Sequence, residues 1–167
     1  IGPKAAEENI NKGIFREAVV MQMTWPGAPT IYYGDEAGVC GWTDPDNRRT
    51  YPWGQEDVEL IEFHKELIRL HKRYETLKTG SLKFLGNQLG YVCYGRFDME
   101  EQLVVAVNNN RTPITVNIPV WEIGIWESDK VEEIFRSDEH GYYMKHTMYP
   151  VKNGGITLTL EPFEAII

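Results

Sequence analysis

The chain has 167 residues, 42% of them apolar, and a formal net charge of −8. That suits one domain, or a modest domain with an attached segment, and the acidic balance argues against nucleic acid or an anionic membrane as partner, since both are met with basic patches. Cys40 and Cys93 make no disulfide scaffold and have no metal-ligand spacing, and no apolar run approaches the roughly 18 residues of a membrane span.

The chain opens Ile1-Gly2-Pro3 without a methionine, so a missing signal peptide says little, and a longer parent protein is expected. From about Lys4 to Met23 the pattern is helical, with Ile10, Ile14, Ala18 and Met21 forming one apolar stripe. Asn11 and Gly13 weaken its middle, and Pro26 ends it near Trp25. Residues 29–33 predict a short strand, with Tyr32 and Tyr33 alternating and both placed in the core. A helix, a tight loop and a buried strand need neighbours on both sides, and no other parallel strand is in sight.

Residues 34–55 form a long loop, of a length more often functional than idle. Within it Asp44-Pro45-Asp46-Asn47 has type I turn chemistry, which brings Asp44 towards Arg48. From about Glu56 to Leu77 comes a second helix: Leu60, Phe63, Leu67, Leu70 and Tyr74 repeat at threes and fours, with acidic residues first and basic ones later, as the helix dipole favours. After Gly80 the period falls to two. Runs at 82–85, 91–97, 103–108, 114–118, 131–135, 142–144, 156–160 and 163–167, separated by Gly, Asn, Asp and Pro, predict an antiparallel sandwich or barrel. The acidic run 127–133 is expected to be a solvated loop and edge strand.

Gly27-Ala28-Pro29-Thr30-Ile31-Tyr32-Tyr33-Gly34-Asp35-Glu36 resembles the eighth barrel strand of the α-amylase family of glycoside hydrolases. Asp44-Pro45-Asp46-Asn47-Arg48-Arg49-Thr50-Tyr51-Pro52-Trp53 resembles the following loop in that family's neopullulanase and cyclomaltodextrinase branch. Leu67-Ile68-Arg69-Leu70-His71-Lys72 is similar to its eighth barrel helix, Asn108-Asn109-Asn110-Arg111 to a turn of its C-terminal sandwich, and 158–167 to its closing hairpin. The resemblance implies an α+β chain: residues 1–79 as the last helix-strand-helix portion of a (β/α)8 TIM barrel (strand about 29–33, helix about 56–77), and 80–167 as an antiparallel β-sandwich.

It implies a function too. The parent would be a retaining hydrolase of α-1,4 or α-1,6 glucans, with an α-glucan or maltooligosaccharide as partner. The family's catalytic acids lie on earlier strands, and the His-Asp motif of one of them does not occur here. No catalytic residue is therefore assigned, and the chain alone is expected to be inactive. Asp35 and Glu36 are neighbours in an extended segment and point to opposite faces, so they suit hydrogen bonds that hold the loop better than paired catalysis. Asp44 and Arg48 offer an acceptor and fixed donors to sugar hydroxyls, and the matching residues of the family line subsites on the non-reducing side. Trp42 offers a stacking platform, while Asp46, Arg49 and Trp53 are set aside as loop or packing residues. His64, His71, His140 and His146 suggest no metal, and no cofactor is expected. The missing N-terminal barrel is the expected intramolecular partner, with self-association left open and a cytoplasmic location favoured over a secreted one. Alternatives are a carbohydrate-binding or interaction β-sandwich module, a non-catalytic relative of the family, and a family member of different specificity, such as an oligo-1,6-glucosidase or a trehalose-type enzyme.

Overall fold

A computed structural model describes residues 6–167. The architecture is mostly β, with few helices. Helix α1 (Lys12–Thr24) starts where the side chain of Asn11 accepts the Ile14 N–H, and it stops at Trp25, ahead of Pro26. The expected start at Lys4 lies outside the described residues, and within them the helix is interrupted at 8–11: Asn11 caps a new helix rather than continuing one. Gly13 is there because Phe163 leaves no room, since a Cβ would lie 2.9 Å from that of Phe163.

The buried face of α1 carries Arg16, Glu17, Val19, Val20 and Met23, whereas Ile10 and Ile14 are 45% and 42% exposed and Ala18 is exposed too. The predicted stripe is present, but it faces outward. Polar side chains decide which face is covered. Arg16 donates to the carbonyl of Asp138 at 3.0 Å and to Glu59 at 2.6 Å, while Asn109 donates to Glu17 at 2.6 Å.

Residues 29–33 form no strand. The prediction fails for a physical reason: a strand needs a ladder partner, and none of the described residues supplies one. Helix α2 (Val58–Arg73) is capped by Asp57, which accepts the Leu60 N–H, and buries Leu60, Phe63, Leu67 and Leu70. Each of these burials is worth about 1.5–3 kcal/mol. The expected span to Leu77 breaks at Tyr74, and a short helix α3 (Thr76–Thr79) follows.

The strands are β1 (Ser81–Gln88), β2 (Tyr91–Phe97), β3 (Gln102–Asn108), β4 (Ile114–Ile118), β5 (Lys130–Glu132), β6 (Arg136–Ser137), β7 (Tyr142–Tyr143), β8 (Met148–Pro150), β9 (Ile156–Leu160) and β10 (Glu164–Ile166). A six-stranded sheet runs β1-β2-β3-β10-β6-β7, and β4-β9 and β5-β8 form two smaller sheets. All pairings are antiparallel. β9 and β10 do not close a hairpin: the former pairs β4 and the latter lies between β3 and β6. Of the predicted strand 131–135 only 131–132 are strand, at the end of β5; Glu133 turns inward and is 2% exposed, not solvated, and β6 starts only at Arg136.

The large sheet is buried on both faces. On one side Tyr94, Val105, Val107 and Ala165 pack with Val20, Met23, Phe63 and Leu67 of the helices. On the other, Cys93, Ala106 and Ile166 pack with Ile118, Leu158 and Leu160 of the β4-β9 sheet. Neighbouring residues on one strand point to opposite faces, so the helices and the β region share an apolar core across positions 79 and 80. Arg96, fully buried, ties the layers together by donating to the carbonyls of Thr24 (2.7 Å) and Gly80 (2.9 Å). No helix among the described residues is long and apolar enough to cross a membrane.

Candidate functional site

The loop after residue 33 is built from short turns. Gly34 and Gly38, both at positive φ, bracket a single 3-10 turn, Asp35–Ala37. The carboxylate of Glu36 accepts the Gly34 N–H at 2.9 Å, so it holds the loop. Burial, and then the neighbouring charge of Glu36, push the Asp35 carboxyl above its ordinary value, with His64 acting the other way. Further on, Asp46 N–H donates to Thr43 and Arg48 N–H to Pro45. The turns therefore start at Thr43 and Pro45, not at Asp44.

These two turns still bring Asp44 and Arg48 together. Arg48 Nε lies 2.8 Å from Asp44 Oδ1 and Nη2 lies 3.1 Å from Oδ2, a two-point pairing. Their side chains remain 60% and 68% exposed. Trp42, beside them in sequence, is exposed. Tyr32 lies within electrostatic reach of both members of the pair.

Tyr32 and Tyr33 are about half exposed, not core, with ring centroids 4.9 Å apart. The Tyr33 hydroxyl donates to the Arg49 carbonyl at 2.8 Å and so moors the far end of the loop. Trp53 is 82% exposed and rests on the Tyr51 ring rather than packing into the body. Tyr32, Tyr33, Asp35, Val39, Gly41 and Asn47 line a hollow of about 150 Å³, and the side-chain oxygen of Asn47 is buried without a partner. A second cavity of about 630 Å³ lies between this loop and the helices, with the Lys12–Asp57 ion pair (2.6 Å) in its wall. Sequence reasoning missed Tyr32, Tyr33 and Asn47, because it sent both tyrosines into a sheet that the chain does not form.

Chemically, the rim offers a fixed carboxylate, a fixed guanidinium and several aromatic faces. That suits a neutral polyhydroxylated ligand. Of the histidines, His64 and His71 donate to the carbonyls of Leu60 and Met23, and His146 meets Glu132. Among the described residues no three His, Cys, Asp or Glu side chains cluster as a metal site would need, and both cysteines are unpaired.

No family model matches the chain. It is, however, 35% identical over 163 residues to neopullulanase 2 of Thermoactinomyces vulgaris, an alignment that covers 94% of this chain and 26% of that protein. To a cyclomaltodextrinase of Thermoanaerobacter pseudethanolicus it is 33% identical over 152 residues, 90% of this chain and 23% of the relative. An α-amylase structure from Geobacillus thermoleovorans, complexed with acarbose, superposes with a TM-score of 0.79 at 25% identity over 98% of this chain and 35% of its own. A debranching enzyme from Nostoc punctiforme gives 0.72 at 26%, over 93% of this chain and 30% of its own. The chain belongs to the α-amylase family of glycoside hydrolases and spans a C-terminal part of such a protein. Its affinity is with the neopullulanase and cyclomaltodextrinase branch, and it spans about a quarter of the length of those two relatives.

Proposed function

We propose that the chain is the C-terminal portion of a retaining hydrolase acting on α-glucans. In this reading residues 1–79 finish a (β/α)8 barrel and 80–167 form the sandwich behind it. Loop 34–55 is one wall of the substrate cleft, in keeping with barrel sites at the C-terminal ends of strands. Asp44 and Arg48 grip sugar hydroxyls there and Trp42 stacks on a ring, while the nucleophile and the acid stand on preceding strands.

One observation carries the proposal: the outward apolar stripe of α1. Ile14 and Ala18 on the helix, and Ile10 ahead of it, are exposed, and Ala18 and Trp25 border residues 28–30, which belong to no strand. That is the surface a barrel helix and strand would turn towards the strands before them. The relatives' names supply the substrate class. A retaining mechanism needs two carboxyls about 5–5.5 Å apart across the scissile bond, a role that the loop-bound Glu36 does not fit.

The test is to incubate the purified 167-residue chain with maltooligosaccharides and with pullulan. No release of reducing ends is expected, and release above that of a contaminant-free control overturns the proposal.

A further inference from the structure

Two tryptophans of the β region serve no core. Trp121 and Trp126, on the turn between β4 and β5, are 50% and 58% exposed, although Val120, Ile123 and Ile125 beside them are buried and already anchor that turn. Trp121 is nonetheless seated. Its backbone N–H donates to the Gly154 carbonyl at 2.9 Å, and its ring lies over Gly154, where a Cβ would come within 2.9 Å of Cδ1. Gly154 is at positive φ, so two demands meet on one glycine. The next residue, Gly155, lies beneath the Asn117 amide, whose Oδ1 would be 2.6 Å from a Cβ there. The indole and the amide thus share one floor.

From Asn117 an exposed polar ladder runs across β4 and β9. Asn117 Nδ2 donates to Thr157 Oγ1 at 3.0 Å, and the Thr115 and Thr159 hydroxyls lie 2.9 Å apart. All four residues are exposed and none is ionisable, in a chain of net charge −8. A ladder of hydroxyls and an amide with no charge of its own, ending at an aromatic ring next to the ion-paired Glu122, matches a neutral polyol with one apolar face. It suits a second protein copy poorly, because association would bury the ladder for little apolar gain.

We propose that Trp121 and the Asn117–Thr157 and Thr115–Thr159 pairs form a surface site for an α-glucan chain, separate from the Asp44–Arg48 rim. The site is a holding point, with no chemistry of its own. The choice of an α-glucan rests on the function proposed above; the neutral, hydroxylated character of the ligand does not.

The experiment titrates the intact chain with maltoheptaose while following indole N–H resonances, assigned with Trp→Phe variants. A saturable shift at Trp121 is expected. Trp121→Ala should weaken this binding about tenfold, and Asn117→Ala should weaken it too without altering the circular dichroism. Arg48→Ala should leave the Trp121 shift as it was. The site is overturned if maltoheptaose moves Trp42 but not Trp121, an outcome that leaves the rim reading standing. No response at any tryptophan overturns the α-glucan reading as a whole. An equal response to cellohexaose overturns the α-linked class, and a Trp121→Ala variant that changes only the oligomeric state on gel filtration makes the patch a self-association surface instead.

Discussion

Asp44 and Arg48 are joined at two points yet stay mostly in water. A pair of that kind contributes at most about 1 kcal/mol to folding, so the binding role proposed for it can be tested by substitution at little cost in stability. The turn residues around Asp44 announced this pair in the sequence. Tyr32, Tyr33 and Asn47 were hidden, because side-chain alternation tells which way a residue points only once the strand has partners. Glu17 was hidden as well: on a helical wheel it is an ordinary surface glutamate. In the structure it is 2% exposed, with one carboxylate oxygen bonded to Asn109 and the other unpaired. Burial pushes its pKa up to about 7, only partly offset by the Asn109 bond. A carboxyl whose folded value lies above its unfolded one adds stability that is complete below the unfolded value, near 4.5, and is lost as pH climbs through 7. Thermal midpoints of the native chain should therefore fall between pH 5 and 8 more steeply than those of Glu17→Gln, the difference amounting to something on the order of 2 kcal/mol. Parallel curves for the two proteins would show that this carboxyl does not govern the pH response.

Among the elements, α1 teaches most about reading faces. Its period was plain, but an apolar stripe says only that a helix has something to cover, not which neighbour covers it. Here the layer that is present takes the other face, held by Arg16, Glu17 and Thr24. The Thr24 hydroxyl lies 2.6 Å from that of Tyr94 on β2. The strands were legible wherever β-branched and aromatic residues ran between turn formers. β8 was missed, since Met148-Tyr149-Pro150 lacks that signature, and the inward turn at Glu133 was read as solvated acid.

That turn is paid for by Arg136, which bonds Glu133 at 2.9 and 3.1 Å, Glu164 at 2.7 Å and Tyr149 at 3.1 Å. The cluster links β6 to β10 and β8. Replacing Arg136 with Met would strand two carboxylates that are 1% and 3% exposed. Urea unfolding at pH 7 should show a loss of about 3–5 kcal/mol. A loss no larger than that of an ordinary surface substitution, about 0.5 kcal/mol, would show that the paired charges do not hold the cluster.

For the molecule as a whole, the outward stripe of α1 should make the isolated chain adhesive. Ile14→Lys combined with Ala18→Glu changes two exposed positions, and such changes ordinarily alter stability by no more than about 0.5 kcal/mol. The double variant should bind less of an apolar dye such as ANS and stay monodisperse by light scattering at concentrations where the native chain associates. Unchanged dye binding would place the sticky surface elsewhere.

The core shared across positions 79 and 80 bears on how such proteins can be recombined. A chimera that exchanges the β region between relatives by a cut at Gly80 would tear Met23 and Phe63 from Tyr94 and Val105 and leave the Arg96 guanidinium without its Thr24 acceptor. Such an exchange should succeed only when both helices travel with the strands.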